Sequence, residues 1–274
     1  MQFNPILERT TAPRENLWYA LSVSEKRPGI RVGHTCTHVE SPDSNGKLYI
    51  IGGANPSQTF AHVFTFDLDM FTWDMVDCDG FNARYEHTAF IAASQPRMIY
   101  VFGGADQNGN KSDLQAFDTE TKIWNTVAVS GVGPSARTFH NGTSVGDKLI
   151  VYSGGQLGSE PVADRQTYTF DVTDLKWTVL NTRGDAPKPR HGHLMVSISN
   201  KVYLHGGMSG TSFFDDIHVL DLTQSAWRNL KQKSFRPPAR AAHGGFVSGT
   251  NIYIFGGLTH SGALDDFYKF DTSK

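Results

Sequence analysis

The chain has 274 residues, enough for one large domain or two small ones with a substantial core. Its 25 Lys plus Arg against 27 Asp plus Glu give a formal net charge of −2, which leaves no cationic excess for a nucleic-acid backbone or an anionic membrane surface. Two cysteines, Cys36 and Cys78, are too few for a disulfide scaffold or a four-ligand thiolate site, and the sequence has neither an apolar leader nor an apolar run near 20 residues.

The expectation from these counts is a soluble intracellular protein. Glycine contributes 27 residues, about a tenth of the chain against a usual ~7%, and aromatic residues 12%. Many turns combined with large rings point to an all-β chain.

In chain order, residues 1–16 read as an N-terminal arm, and LWYALSV around Trp18 (17–23) as a short strand. Five units follow, near 24–79, 80–130, 131–183, 184–233 and 234–274. Each opens with Arg-x-x-His: Arg31 and His34, Arg84 and His87, Arg137 and His140, Arg190 and His193, Arg240 and His243. About twenty residues later an apolar run ends in a glycine pair: Gly52 and Gly53, Gly103 and Gly104, Gly154 and Gly155, Gly206 and Gly207, Gly256 and Gly257. The pairs are spaced by 51, 51, 52 and 50 residues. A further run ends in Asp67, Asp118, Asp171, Asp221 or Asp271, and six residues beyond the first four stand Trp73, Trp124, Trp177 and Trp227. Trp18 precedes Arg31 by thirteen residues, the gap that also separates Trp124 from Arg137, so all five tryptophans share one slot.

Each unit holds four short runs rich in Val, Ile, Tyr, Phe and Thr, separated by Gly, Asn, Asp and Pro, which reads as four antiparallel strands. The fifth unit stops at Lys274, short of its tryptophan position. Two readings follow. Either the strand at Trp18 pairs with the strand ending at Asp271 and closes a five-bladed ring, or the chain is shortened and further units complete it. A four-stranded unit of about 50 residues with a glycine doublet and a spaced tryptophan resembles the Kelch repeat, which implies a β-propeller.

Five of the eleven histidines occupy one slot of the repeat, which suits a buried hydrogen-bonding role once per unit better than ligands converging on a metal. No metal site and no cofactor are expected. The loop before each Arg and the loop after each glycine pair are placed on one side of the disc. Arg31, Arg84, Arg137, Arg190 and Arg240 therefore either bond locally to aromatics and loop carbonyls or form a ring of guanidinium groups that grips a partner. Loops after the glycine pairs vary most, and Phe60, Phe213 and Phe214, with Leu157 and Leu264, are candidate anchors there. The loops before the arginines add Lys26, Arg27, Arg183, Lys188, Lys231, Lys233 and Arg236.

Enzyme motifs fail on inspection. GADQNGNK (104–111) misses the phosphate-loop spacing, and no G-x-S-x-G, HExxH or CxxC occurs. Glu160, Asp164 and Tyr168 resemble the iron-binding run of Kelch-type specifier proteins, but a tyrosine stands where those proteins need histidine.

Loop-level stretches carry a narrower resemblance. RVGHTCTH (31–38), IIGGANP (50–56), RYEHTAF (84–90), VFGGADQNGN (101–110), PRHGHLMV (189–196) and FDDIHVLD (214–221) are similar to the Rab-effector branch of the Kelch proteins, which acts at late endosomes. That resemblance implies a non-enzymatic module that binds the GTP form of a Rab GTPase, promotes transport from endosomes to the trans-Golgi network and associates peripherally with endosome membranes. It marks no Rab-contact residue. Other readings are a substrate-recruiting adaptor and a metal-dependent enzyme on a Kelch ring.

Overall fold

The structure, a computed structural model, describes residues 5–7, 14–15, 17, 19–21, 26–157, 160–231 and 236–273. Among these residues every regular element is a strand, and they build a five-bladed propeller. Blade one contains Thr35–Ser41, Ser44–Ile51, Val63–Asp67 and Thr72–Val76, and blade two Thr88–Ala92, Gln95–Phe102, Leu114–Asp118 and Ile123–Thr126. Blade three contains Asn141–Val145, Lys148–Tyr152, Thr167–Asp171 and Lys176–Leu180. Blade four contains Leu194–Ile198, Lys201–His205, Ile217–Asp221 and Ala226–Asn229, and blade five Gly244–Ser248, Asn251–Phe255 and Phe267–Asp271. The strands named in each blade run antiparallel to their neighbours, in the order of the chain, and Ser130–Gly131 and Arg183–Gly184 add a short parallel strand to blades three and four.

The repeated residues have distinct jobs. The aspartate at the end of the third strand caps the turn into the fourth: Asp67 accepts from the backbone N–H of Asp69 and Met70, Asp118 and Asp221 likewise accept from two, and Asp171 accepts from that of Thr173. This holds the register that sets Phe66, Phe117, Phe170 and Leu220 opposite Trp73, Trp124, Trp177 and Trp227. The tryptophans then wedge between blades. Trp177 lies 4.9 Å from the Phe102 ring of blade two, and Trp227 lies 5.2 Å from Tyr152 of blade three and donates to Thr167. Four apolar clusters result, one at each junction from blade one to blade five.

Two backbone hydrogen bonds recur at every one of those junctions. A glycine N–H at the end of one blade donates to the arginine carbonyl of the next: Gly53 to Arg84, Gly104 to Arg137, Gly154 to Arg190 and Gly207 to Arg240. The residue before each histidine donates backward, Glu86 to Gly33, Phe139 to Glu86, Gly192 to Phe139 and Ala242 to Gly192, forming a chain from blade to blade. These residues have left-handed φ between 48° and 65°. That turn is why the first strands begin after the histidine and not at the arginine, as the sequence pattern suggested.

Unit three is offset from its apparent glycine doublet. Ser153, with φ of 55°, takes the first-glycine position and Gly154 the second, while Gly155 starts the following hairpin. The Ser153 hydroxyl accepts the Arg190 N–H at 2.7 Å, a bond to the next blade that anchors the side chain of this left-handed residue.

Closure of the ring by the strand at Trp18, one of the two readings of the chain ends, is not seen among the described residues. Trp18 lies outside the described residues, and its neighbours Ala20–Leu21 pair in parallel with Ile6–Leu7. Among the described residues blade five has three strands, and neither junction hydrogen bond forms between blades five and one. Phe255, whose equivalents Phe102 and Tyr152 are fully buried by a following blade, is 55% exposed.

Candidate functional site

The arginine slot and the glycine turn come together at one end of each blade. In blade two, Arg84 donates from Nε to the Asn82 carbonyl, from Nη1 to the Gly103 carbonyl and from both terminal nitrogens to Asp113 at 2.9 and 2.7 Å. Arg137 uses Ser135, Ser153 and Asp164; Arg190 uses Lys188, Gly206 and Asp216; Arg240 uses Pro238, Gly256 and Asp266. All four guanidinium groups are fully buried. A paired, hydrogen-bonded guanidinium is the form in which such a charge tolerates burial.

Of the two readings of the repeated arginines, local bonding is the one that four of them follow. Arg84, Arg137, Arg190 and Arg240 tie their own blade's first turn to its glycine turn and present nothing to a partner in this structure. Burial alone raises the Asp113 carboxyl, yet Arg84 holds it below the usual carboxylate range. Burial likewise raises Asp216, but His218 and Arg190 hold it well below, and the Arg240 hydrogen bond holds Asp266 down. Asp164 is used by Arg137, and the Tyr168 ring lies 5.3 Å from the same guanidinium, so these two members of the Glu160, Asp164 and Tyr168 run serve the blade, while Glu160 is exposed.

Arg31 is different. It donates to the Gly29 and Gly52 carbonyls, as the others do to theirs, and lies over Phe60 and Phe64 at 4.3 and 4.9 Å. The position immediately before the third strand, aspartate in blades two, four and five, is His62 in blade one. Arg31 has no ion-pair partner among the described residues and is half-buried. The aspartate slot was legible as a repeat in the sequence, at Asp113, Asp164, Asp216 and Asp266, each nine residues after a glycine pair, and comparing units would have shown its loss at His62.

The candidate anchors sit lower than expected. Phe60 is buried beneath Arg31, and Phe214 is half-buried with the Arg190 guanidinium 4.1 Å above it. Phe213 is half-buried with its ring edge against His260, and Leu264 is half-buried; the Leu157 side chain lies outside the described residues. What the face does expose near blade one is Ile30, 93% exposed, and Val32, 68% exposed. Of the loop cations, Lys26 pairs with Asp74 and Arg236 with Asp215, Lys188 and Arg183 are exposed, and Lys233 is outside the described residues. The variable loops are short hairpins, such as Ala54–Asn55 with Gln58–Thr59 and Met208–Ser209 with Ser212–Phe213. Each is bridged back to the residue after its blade's arginine, as in Val32 with Ala54 and His191 with Met208.

The repeated histidines pack under the preceding blade's glycine turn. Burial, with a nearby arginine adding to it, pushes His87 and His140 down to about 3, and burial followed by His205 and Arg240 does the same for His243. His205 falls to about 4, again first through burial, and its Nδ1 lies 3.0 Å from His243 Nε2. These imidazoles are neutral at pH 7 and serve the blade junctions.

Comparison with known proteins agrees with this architecture. The family model of the KLHDC2/KLHL20/DRC7 Kelch-repeats domain matches residues 33–257. The Rab9 effector protein with kelch motifs of Bos taurus is 43% identical over 216 residues, covering 78% of this chain and 58% of that protein. The Mus musculus protein of the same name is 44% identical over 216 residues, 78% and 57% respectively, and that of Danio rerio 40% over 233 residues, 80% and 66%. The chain thus spans somewhat over half the length of the first two of these relatives. The solved structure of YjhT superimposes with a TM-score of 0.70 at 18% identity, covering 89% of this chain and 82% of that one, which is a likeness of fold alone.

Proposed function

The chain belongs to the Kelch-repeat family, and from that premise we propose that it is a non-enzymatic interaction propeller acting as a Rab effector, selective for the GTP form of its partner. The observation that carries this reading is the identity, 43% over 78% of the chain, to a protein named as a Rab9 effector. The geometry supports it: the blades present short hairpins at one end, and buried charged and imidazole groups such as Arg84 with Asp113 and His205 with His243 are engaged in packing within and between blades. In a cell the propeller would act in the cytoplasm, meet endosome membranes through its partner and promote transport to the trans-Golgi network. Among the described residues no helix is long and apolar enough to cross a membrane.

The test is a pull-down with a panel of Rab proteins, Rab9 included, each loaded with GDP or a non-hydrolysable GTP analogue. Capture of one Rab in the GTP form at least tenfold over its GDP form is the expected result. Equal capture of both forms, or capture of none, overturns the proposal.

A further inference from the structure

The five arginines of the repeat are an internal experiment with one variant. Four guanidinium groups meet the same three kinds of partner: a carbonyl two residues upstream, a carbonyl of the glycine turn and a carboxylate. The fifth, Arg31, meets the first two at 3.1 and 3.0 Å and lacks the third. Its Nη2, the nitrogen that Arg84, Arg137, Arg190 and Arg240 each direct to aspartate, has no acceptor among the described residues. The side chain that replaces the aspartate, His62, is exposed and packs against Phe60 and Phe64, with ring centroids 5.8 and 6.0 Å away.

The guanidinium is nonetheless held in the same orientation as its counterparts. Two carbonyls fix its edge and the Phe60 and Phe64 rings fix its plane, so little rotamer freedom is left to lose on binding. Burial lowers its pKa. Beside it a shallow recess is lined by Pro28, His34, Ile50 and Trp73, and the exposed Ile30 and Val32 flank it in the chain. A fixed guanidinium with an open donor edge is suited to a planar, charge-assisted bond to a carboxylate.

We infer that Arg31 is a recognition site for a carboxylate of a protein partner, an Asp or Glu side chain next to an apolar residue, which takes the place that Asp113, Asp216 and Asp266 occupy in their own blades. The inference rests on the reading of this face as an interaction surface, but not on the partner being a Rab protein.

The experiment uses the full chain and a fluorescein-labelled octapeptide alternating Glu with Phe, read by anisotropy against the same peptide with Gln for Glu. Wild type is expected to bind the Glu peptide at least tenfold more tightly than the Gln peptide. His62→Asp, which restores the carboxylate of the other blades and leaves Arg31 in place, is expected to abolish that preference, as is Arg31→Gln. His62→Asn and the net-charge control Lys176→Gln are expected to stay within threefold of wild type. Absence of a Glu preference in wild type, or its survival in His62→Asp, overturns the inference. The Rab pull-down is read separately: GTP-Rab capture unchanged by His62→Asp, with no peptide preference, removes this site and leaves the effector reading. A peptide preference with no Rab captured does the reverse.

Discussion

Replacing Gly206 and Gly256 by alanine in separate variants isolates what a blade junction demands. Both residues have a φ of 64°, so both substitutions carry the same left-handed penalty, roughly 1–2 kcal/mol for a residue with a Cβ. Their surroundings differ. A Cβ on Gly206 would lie 2.7 Å from the Arg240 carbonyl oxygen and 2.9 Å from His243 Cε1, both on the next blade, whereas a Cβ on Gly256 meets nothing nearer than the Leu264 carbonyl at 3.1 Å. Overpacking a junction of this kind adds about 1–3 kcal/mol. Gly206→Ala is therefore expected to cost roughly 2 kcal/mol more than Gly256→Ala. Because blades can unfold in parts, global urea midpoints should be accompanied by amide hydrogen exchange. The amides of Gly207 and Ala242, which donate across the junction at 2.8 and 2.7 Å, should lose protection in Gly206→Ala and keep it in Gly256→Ala. Equal costs for the two variants within about 0.5 kcal/mol would refute the reasoning. They would mean either that the glycines serve φ alone or that something covers blade five as blade five covers blade four.

Two further outcomes follow from the polar interior. Asp216→Asn removes the charge facing a fully buried Arg190; breaking a buried pair costs about 3–5 kcal/mol, and with Asp216 one quarter exposed the expected loss is roughly 2–3 kcal/mol in urea unfolding. Acid should weaken the fold well before the carboxylates titrate. His87, His140, His205 and His243 have folded pKa values of about 3 to 4 against an ordinary 6.5, so the unfolded chain binds the extra protons. Stability is then complete above pH 6.5 and falls as pH drops toward 4, by about 2 kcal/mol per histidine between pH 7 and 5 as an upper bound. Imidazole resonances followed by NMR would check this directly, and a His140 that titrates near 6.5 in the folded protein would contradict it.

Much of the architecture was legible because it recurs. A glycine turn, an arginine, a histidine, an aspartate and a tryptophan at fixed separations demand a unit that meets its neighbours in the same way each time, and the strands fall where those residues place them. Ser153 escapes a reading of letters, because the structure needs a left-handed φ at the first position of the turn and room for the blade's own histidine strand at the second. Serine holds the first with its hydroxyl bonded to the Arg190 N–H, and Gly154, where a Cβ would lie 2.6 Å from His140 Cβ, supplies the second. The fate of the arginines was hidden for another reason. A charged residue at a strand start is compatible with a surface or an interior, and only its partner decides, so the informative residue was the aspartate before the third strand.

That distinction bears on how a repeat acquires a partner. Repeat residues that find their full set of partners within the blade are explained by packing and are withdrawn from the surface, as the burial of Arg84, Arg137, Arg190 and Arg240 shows. A position that breaks the pattern is no longer required to satisfy its own blade. At His62 the break leaves an oriented guanidinium that the fold has positioned and not neutralised. Specificity in such a ring arises by omission: deleting one internal ligand converts a structural arginine into a recognition site without moving a strand. Restoring that ligand with His62→Asp should accordingly raise stability slightly, by no more than about 1 kcal/mol for a half-exposed pair, while removing the carboxylate preference. A gain in one with no loss in the other would separate the structural role of Arg31 from the recognition role argued for it.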